Sequence, residues 1–576
     1  MKPRARSLVI GLDGAGLDLV RRLGRERLPY LHGLMERGVC APLDTVVPHA
    51  TLPNWTTFLT ALDPGGHGVF DFTTRQGYAV RFTAGSVREA PTLAARLDRL
   101  GKRCACLFFP ATYPPERLER GVFISGWDAP VAFSADPSFV WPTALHGEIL
   151  ARFGPQRFDD VDEFAADDED WHAALPDALI ARIERRTELA RWLLERERWD
   201  LFALYFGESD TASHHLWSLF DERSPRHPAG TAPFLREGLP RVYQALDRAV
   251  GELVEAAGGD AVEVTIVSDH GSGGSSDRVL YLNRALEQAG LLARKPPLLG
   301  MELPLGDLST RLKDAALTRL PPALRERIFR AAGTRLPSWL ESRVRFGQLD
   351  MMRTQAFSDE LNYFPAVHLN LEGREPSGRV APAQVDAVTR HVQDALGELR
   401  NPDSGQAAVR AVHRREDVFR GPYLERAPDL IVELALLEHR GERYSYNLMP
   451  SASAPRELPA DACFGRLAPD EYLGRKGRSL AGSHRRHGLY VAAGPRVEQR
   501  GEIAAHIADA SATVLARMGV APPPEASGRV LPLGRGLGAE AISAPALPPA
   551  PPPRSAQDAG DEARVAARLR NLGYIE

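Results

Sequence analysis

What most limits the fold of this 576-residue chain is an alternation of short, strand-like apolar runs with stretches of helical spacing. Ser7 to Leu12, Cys104 to Phe109, Leu201 to Phe206, Val262 to Val267 and Leu489 to Ala493 read as strands. Between them, Pro91 to Leu100, Leu179 to Arg196, Leu239 to Ala257 and Ile503 to Met518 place apolar residues at helical intervals. An unbroken Val/Ile/Leu run suits a strand covered on both faces, because a strand with one wet face alternates apolar and polar side chains. The pattern therefore predicts an α/β core, a mostly parallel sheet with helices on both faces. Ligands of such sheets bind beyond the carboxyl ends of the strands. Asp13, Asp210 and Asp269 fall there.

Length allows one large domain with insertions or two to three modules. With 71 basic against 75 acidic side chains the net charge is −4, so nothing points to electrostatic capture of nucleic acid or of an anionic membrane. Four scattered cysteines, Cys40, Cys104, Cys106 and Cys463, are too few for a disulfide framework or a Cys-based zinc site and read as reduced core residues. The basic start, Met1 to Arg6, leads into a short strand rather than the apolar segment and cleavage site of a signal peptide. No run approaches the roughly 18 to 20 apolar residues of a spanning helix. The expectation is a soluble, cytoplasmic protein with no membrane span.

A catalytic domain is expected over residues 1–535. Two stretches interrupt its alternation, at about 73–170, with an acidic patch from Asp159 to Asp170, and at about 295–444. Long insertions after site-bearing strands shape a substrate pocket as a cap, the alternative being peripheral decoration. Residues 536–560 form a Pro/Ala-rich linker. Residues 561–576 form an amphipathic helix, with Val565, Leu569 and Leu572 on one face, that docks on the body or on an unidentified protein partner, or frays.

The chemistry gathers around His49-Ala50-Thr51-Leu52-Pro53-Asn54, followed by a glycine turn, Pro64-Gly65-Gly66-His67-Gly68. A lone threonine here would serve as a helix cap. Three remote pieces argue otherwise: Asp210-Thr211-Ala212-Ser213-His214, Ser268-Asp269-His270-Gly271 and Gly482-Ser483-His484-Arg485. Phosphate-ester hydrolysis needs a nucleophile, neutralised nonbridging oxygens and help for the leaving oxygen, all of which two divalent cations about 3.5 to 4 Å apart supply. Each cation takes roughly three protein ligands. Asp13, Asp210, His214, Asp269, His270 and His484 are enough for two.

Taken together, these pieces resemble the alkaline phosphatase superfamily, in its type I phosphodiesterase/nucleotide pyrophosphatase branch. The Leu-Asp-Gly strand end, Thr51-Leu52-Pro53-Asn54 with its Pro-x-x-His-Gly turn, Asp-x-x-x-His, Ser-Asp-His-Gly and the late Gly-Ser-His occur in the family's order. Asn370 to Pro376 and Arg426 to Leu430 are similar to its uncharacterised bacterial subgroup. The resemblance implies an alkaline phosphatase-like fold and Thr51 as nucleophile, its oxygen on a cation held by Asp13, Asp269 and His270. Asp210, His214 and His484 would hold the second cation. Zn²⁺ suits these ligands best, with Mn²⁺ or Fe as alternatives.

Other residues compete for these roles. His215 stands beside His214, His487 beside His484, and His49 and Asn54 flank Thr51, where they orient phosphate or fix the turn. His67 fits the glycine turn better than a metal. Val69-Phe70-Asp71-Phe72 lacks the asparagine that the nucleotide pyrophosphatases carry after this turn, so nucleotide specificity is not implied. Cys40-Ala41-Pro42-Leu43-Asp44 lacks the arginine of a sulfatase signal. The expected activity is two-metal cleavage of a small phosphodiester or pyrophosphate through phospho-Thr51, with no nucleic acid polymer as partner. The alternatives are a phosphomonoesterase or phosphoryl transferase/mutase of the same fold, and a non-catalytic binding module.

Overall fold

The computed structural model describes residues 3–71, 73–82, 88–126, 137–154, 169–295, 346–455, 457–459, 461–475 and 479–534. The expected linker at 536–560 and helix at 561–576 lie outside them, as do residues 296–345 of the second insertion and most of the acidic patch.

One ten-stranded sheet forms the body. Its strands run in the order Gly501–Glu502, Val39–Asp44, His487–Ala493, Glu263–Val267, Ala5–Leu12, Trp199–Phe206, Cys104–Leu107, Val122–Ile124, Val140–Trp141, and Ala505–His506 also pairs with Val39–Asp44. From Glu263–Val267 to Val122–Ile124 all pairings are parallel. His487–Ala493 is antiparallel to both neighbours, and Val140–Trp141 is antiparallel at the far edge. The central strands are almost wholly buried, and Trp199–Phe206 accordingly runs apolar without alternation from Leu201 on, whereas Glu263–Val267 also buries Glu263 and Thr265. Helices Glu169–Arg196, Glu208–Phe220 and Gly238–Ala257 pack together as one layer, and Thr51–Thr60 packs against Ile507–Arg517 in another.

Register decides where the chemistry comes out. Leu12 lies opposite Phe206 and Gly11 opposite Val267, so the residues that follow these three strands emerge at one edge. Gly11 has a second task. A Cβ there would stand 2.7 Å from the ring of Trp55, so glycine lets the indole lie against the strand.

The expectation for the first insertion needs revising. Val122–Ile124 and Val140–Trp141, inside the stretch read as a first cap, extend the main sheet. Strands this short, set among proline and aromatic residues, carry too little period to be recognised. Of that stretch, the hairpin Thr73–Gln76/Ala79–Phe82 instead meets the second insertion, where Arg75 pairs with Glu375 and the Tyr78 hydroxyl donates to Asn370.

The described part of the second insertion is built on a four-stranded antiparallel sheet, Ala356–Phe357, Ala366–Leu369, Leu430–Leu434 and Val409–Arg414, with helix Val385–Gly397 against it. Its own apolar cluster includes Phe357, Val367, Leu369, Val392, Leu396 and Val432. The long strand Gly271–Leu280 joins it to the body, pairing with Glu442–Leu448 on one side and Gly482–Arg485 on the other.

An ion pair between buried Asp429 and the partly exposed Arg374 fastens this region. Both Arg374 terminal nitrogens donate to the Asp429 carboxylate at 2.6 Å, and Asp429 also accepts the Leu369 N–H. Burial alone would raise the Asp429 pKa, but the Arg374 bonds and charge outweigh it and hold the group below the usual carboxylate range. A depressed folded pKa stabilises the fold fully above the unfolded value of about 3.9 and loses that contribution as pH falls through the folded value. Asp429→Asn is therefore expected to cost about 2 kcal/mol at neutral pH, discounted because Arg374 is partly exposed. Its stability should also fall less steeply than wild type below about pH 4; urea unfolding across that range measures both effects.

Candidate active site

Thr51 is the first residue of the buried helix Thr51–Thr60, and the preceding cap residue is Ala50, with no side chain capping the helix. The threonine hydroxyl is thus not spent on capping. Its Oγ1 lies 3.3 Å from His270 Nε2. Asn54 does the local structural work, accepting the Val46 N–H through Oδ1 and donating from Nδ2 to the Ala50 carbonyl. His67 ties the glycine turn to the helix: its Nδ1 accepts the Val69 N–H, and its Nε2 faces Thr57 Oγ1 at 3.1 Å.

Asp13 follows the first strand and is gripped from two sides. Its Oδ2 accepts Trp55 Nε1 at 2.9 Å and the Tyr205 hydroxyl at 2.6 Å. Asp269 Oδ1 accepts the Gly14 N–H, tying two strand ends together. Asp210 and His214 sit one turn apart on helix Glu208–Phe220, with Asp210 Oδ2 3.2 Å from His214 Nε2. His484 arrives on the strand Gly482–Arg485, opposite Ser272. A Cβ at Gly482 would stand 2.1 Å from the Ser213 carbonyl, so glycine permits this close approach of strand to helix. Buried Arg226 holds the loop leading into that strand, its guanidinium donating to the carbonyls of Glu471, Tyr472 and Leu480.

The three histidines share one arrangement. Nδ1 faces a backbone carbonyl in each: Gly482 for His214 at 2.9 Å, Gly271 for His270 at 3.0 Å and His49 for His484 at 2.6 Å. A carbonyl only accepts, so each Nδ1 carries a proton, and in a neutral ring Nε2 is left with a lone pair. Those lone pairs converge. His214 Nε2 and His484 Nε2 are 3.1 Å apart, a contact without a proton between them if both rings are neutral. Histidines that ligate metals show this same outer bond, which fixes the ring and its tautomer.

The acids complete the pattern. Ligand atoms of Asp210, His214 and His484 all lie within 4.8 Å of one another, as do those of Asp13, Asp210 and His270. Asp210 belongs to both groupings, which departs from the clean division of three ligands per cation. Asp269 stands beside the second grouping, with Oδ2 3.1 Å from His270 Nε2. Asp13 Oδ1 and Asp269 Oδ2 are buried and find no hydrogen-bond partner among the described residues.

Electrostatics fit the geometry. Burial, then the charge of Asp210, pushes Asp13 up to about 7, although the Tyr205 and Trp55 bonds pull against it. Burial and its acidic neighbours push Asp269 well above the usual range. Burial drives His270 down to about 4 and, reinforced by the other two rings, His484 well below its ordinary value. A dry pocket of three carboxyls and three imidazoles disfavours ionised acids unless positive charge enters it. Carboxylate oxygens and imidazole nitrogens, with two acid oxygens unsatisfied, fit divalent cations.

The competing histidines lie elsewhere. His215 packs edge-on against Trp171, their ring centroids 4.9 Å apart, and His487 is exposed on the main sheet opposite Asp44. His49 adds its carbonyl to the site, and its buried Nδ1 finds no partner among the described residues. Sequence reasoning missed the supporting side chains Trp55, Tyr205 and Tyr363. Trp55 lies four residues after Thr51 on the same helix face and was within reach of a periodicity argument. Tyr205 reads as one more apolar strand residue, and nothing near Tyr363 in sequence hints at a contact with His214, 149 positions away.

Human ectonucleotide pyrophosphatase/phosphodiesterase 5 matches with 14% identity and a TM-score of 0.46, over 91% of this chain and 97% of its own. The inactive threonine-to-alanine variant of the murine protein in complex with AMP matches with 14% identity and a TM-score of 0.46, over 90% and 96%. Phosphonoacetate hydrolase from Sinorhizobium meliloti 1021 in complex with phosphonoformate matches with 16% identity and a TM-score of 0.49, over 88% and 95%. No curated protein matches the chain in sequence. Among the described residues no helix is long and apolar enough to cross a membrane. Residues 7–436, well over half of the chain, match the family described as type I phosphodiesterase/nucleotide pyrophosphatase. The chain belongs to that family, within the alkaline phosphatase superfamily, and is a metal-dependent phosphoester hydrolase.

Proposed function

We propose that this enzyme cleaves a small phosphodiester or pyrophosphate through a covalent phospho-threonine at Thr51, in a pocket holding two divalent cations. The observation that carries the reading is the convergence of three imidazole Nε2 atoms and three buried carboxyls around one hydroxyl that caps nothing. Asp13, Asp269 and His270 would hold one cation beside Thr51, and Asp210, His214 and His484 the other, with Asp210 near enough to serve both. When bound, the pair supplies the positive charge that keeps the acids ionised, neutralises the phosphate oxygens and favours the alkoxide of Thr51. Zn²⁺ suits the ligands best, ahead of Mn²⁺ or Fe.

The chain's own residues do the rest. The Thr51 hydroxyl gives its proton to solvent, Oγ1 forms a bond to phosphorus as the bond to the leaving oxygen breaks, and that oxygen gains a proton from solvent. Water then displaces the threonine from phosphorus and restores its hydroxyl. The positive end of helix Thr51–Thr60 faces the phosphoryl group that Thr51 attacks, so its first N–H groups favour the gathering negative charge. Trp55 and Tyr205 keep Asp13 in place during both steps. The catalytic domain, with the second insertion as a cap, extends to about residue 535, and the four buried, unpaired thiols agree with a reducing, cytoplasmic setting.

Prolonged chelation is expected to abolish hydrolysis of bis-p-nitrophenyl phosphate, and added Zn²⁺ or Mn²⁺ to restore it. Side-by-side assay with p-nitrophenyl phosphate tests the substrate class. Faster turnover of the diester is the expected result; a strong monoester preference would reassign the enzyme to the phosphomonoesterases or phosphoryl transferases of this fold.

A further inference from the structure

The second insertion reaches into the site through Tyr363. The Tyr363 ring lies 4.4 Å from that of His484 with 22° between planes, and the other face of the cluster stacks His484 on His270 at 3.6 Å and 20°. Three rings thus form one column. The Tyr363 hydroxyl lies 3.5 Å from His214 Nδ1, with ring centroids 5.3 Å apart, so this one side chain touches two of the three groups that surround the second cation position.

The loop beneath it is fixed on both sides. Glu360 holds a left-handed backbone conformation, φ 54°, unusual for a residue with a side chain. Its buried carboxylate accepts the Asn283 N–H at 2.9 Å and both the N–H and hydroxyl of Ser451. Asn362 Oδ1 accepts the Leu448 N–H at 2.8 Å, and Phe364 is buried in a cluster with Ala50, Phe70 and Phe419. Ala50 directly precedes Thr51, so the anchor of the tyrosine loop and the base of the nucleophile helix share one apolar cluster. A loop tied this closely presents a fixed ring, not an adaptable one.

We propose that Tyr363 is a positioning residue for the second cation: its ring, stacked on His484, fixes the plane of that imidazole and so keeps Nε2 aimed at Asp210 and His214. A ligating imidazole becomes electron-poor, and the face of a phenol ring stabilises such a group. The role resides in the ring rather than the hydroxyl, because the His214 Nδ1 proton already has the closer Gly482 carbonyl. This rests on the two-cation reading above.

The test measures cation affinity directly, by competition of Zn²⁺ between a chromophoric chelator and the full-length protein, for wild type, Tyr363→Leu and Tyr363→Phe. Wild type should bind two equivalents. Tyr363→Leu should weaken one of them about tenfold, as loss of an outer support does, and leave the other unchanged. Tyr363→Phe should match wild type, and excess Zn²⁺ should return kcat of the leucine variant toward the wild-type value. Two equivalents of unchanged affinity in Tyr363→Leu would overturn the positioning role and leave the two-cation reading standing. Equal loss in Tyr363→Phe would also overturn it, since the ring would not be the cause. Wild-type protein that binds no Zn²⁺ would bring down both.

Discussion

Thr51→Ala is expected to lower hydrolysis of a phosphodiester by roughly 10⁴-fold or more, the scale on which a covalent enzyme fails without its nucleophile. It should do so with cation content close to wild type, because three carboxyls and three imidazoles remain in place. The fold should also survive, since the hydroxyl caps no helix and its described contact is with His270. Steady-state kinetics and elemental analysis on the same sample separate loss of the nucleophile from loss of the site. Thr51→Ser gives the control. It keeps an oxygen at the same position and should recover part of the rate.

A second substitution strikes the cation pocket itself. Asp210→Asn removes a charge that belongs to both groupings of ligand atoms, whereas His214→Ala removes a group that belongs to one. The asparagine variant should therefore lose the second cation, hold the first more weakly, and fall below His214→Ala in rate at limiting metal. A carboxylate-to-amide change keeps the shape of the side chain, so the deficit reflects charge and ligation more than packing. Two separate titration steps in the wild type, against one weakened step in Asp210→Asn, would show the sharing. An Asp210→Asn protein that loses one cation and binds the other as tightly as wild type would show that Asp210 serves a single site.

Much of the body was legible because buried parallel strands have an obvious sequence form. Leu201 to Phe206 is apolar throughout, Ser7 to Leu12 and Val262 to Val267 are apolar in the main, and the structure pairs them side by side. Val39–Asp44 escaped notice for a physical reason. It contains Pro42, which argues against an interior strand, yet it pairs with His487–Ala493 on one side and with Gly501–Glu502 and Ala505–His506 on the other. Val122–Ile124 and Val140–Trp141 were too short to show a period and were taken into a cap.

The site divides in the same way. Asp13, Asp210 and Asp269 follow strands whose ends could be placed, so their common edge could be foreseen. His484 could not be chosen over His487 by pattern alone; the choice came from the Gly-Ser that precedes it. The structure puts His484 among the other ligand groups and leaves His487 exposed. Sharing of Asp210 between two groupings depends on distances of a few ångströms, which no spacing of motifs encodes. Tyr363 comes from an inserted region whose path over the body is set by bonds such as Glu360 to Ser451, remote in sequence from the residues it touches.

Anomalous diffraction from crystals of the purified enzyme, recorded on either side of the zinc and manganese absorption edges, tests the central claim most directly. Two peaks are expected about 4 Å apart, one contacting Asp13, Asp269, His270 and the Thr51 oxygen, the other contacting Asp210, His214 and His484. A pocket with no peak after metal is supplied, or with the Thr51 oxygen turned away from both, would contradict it.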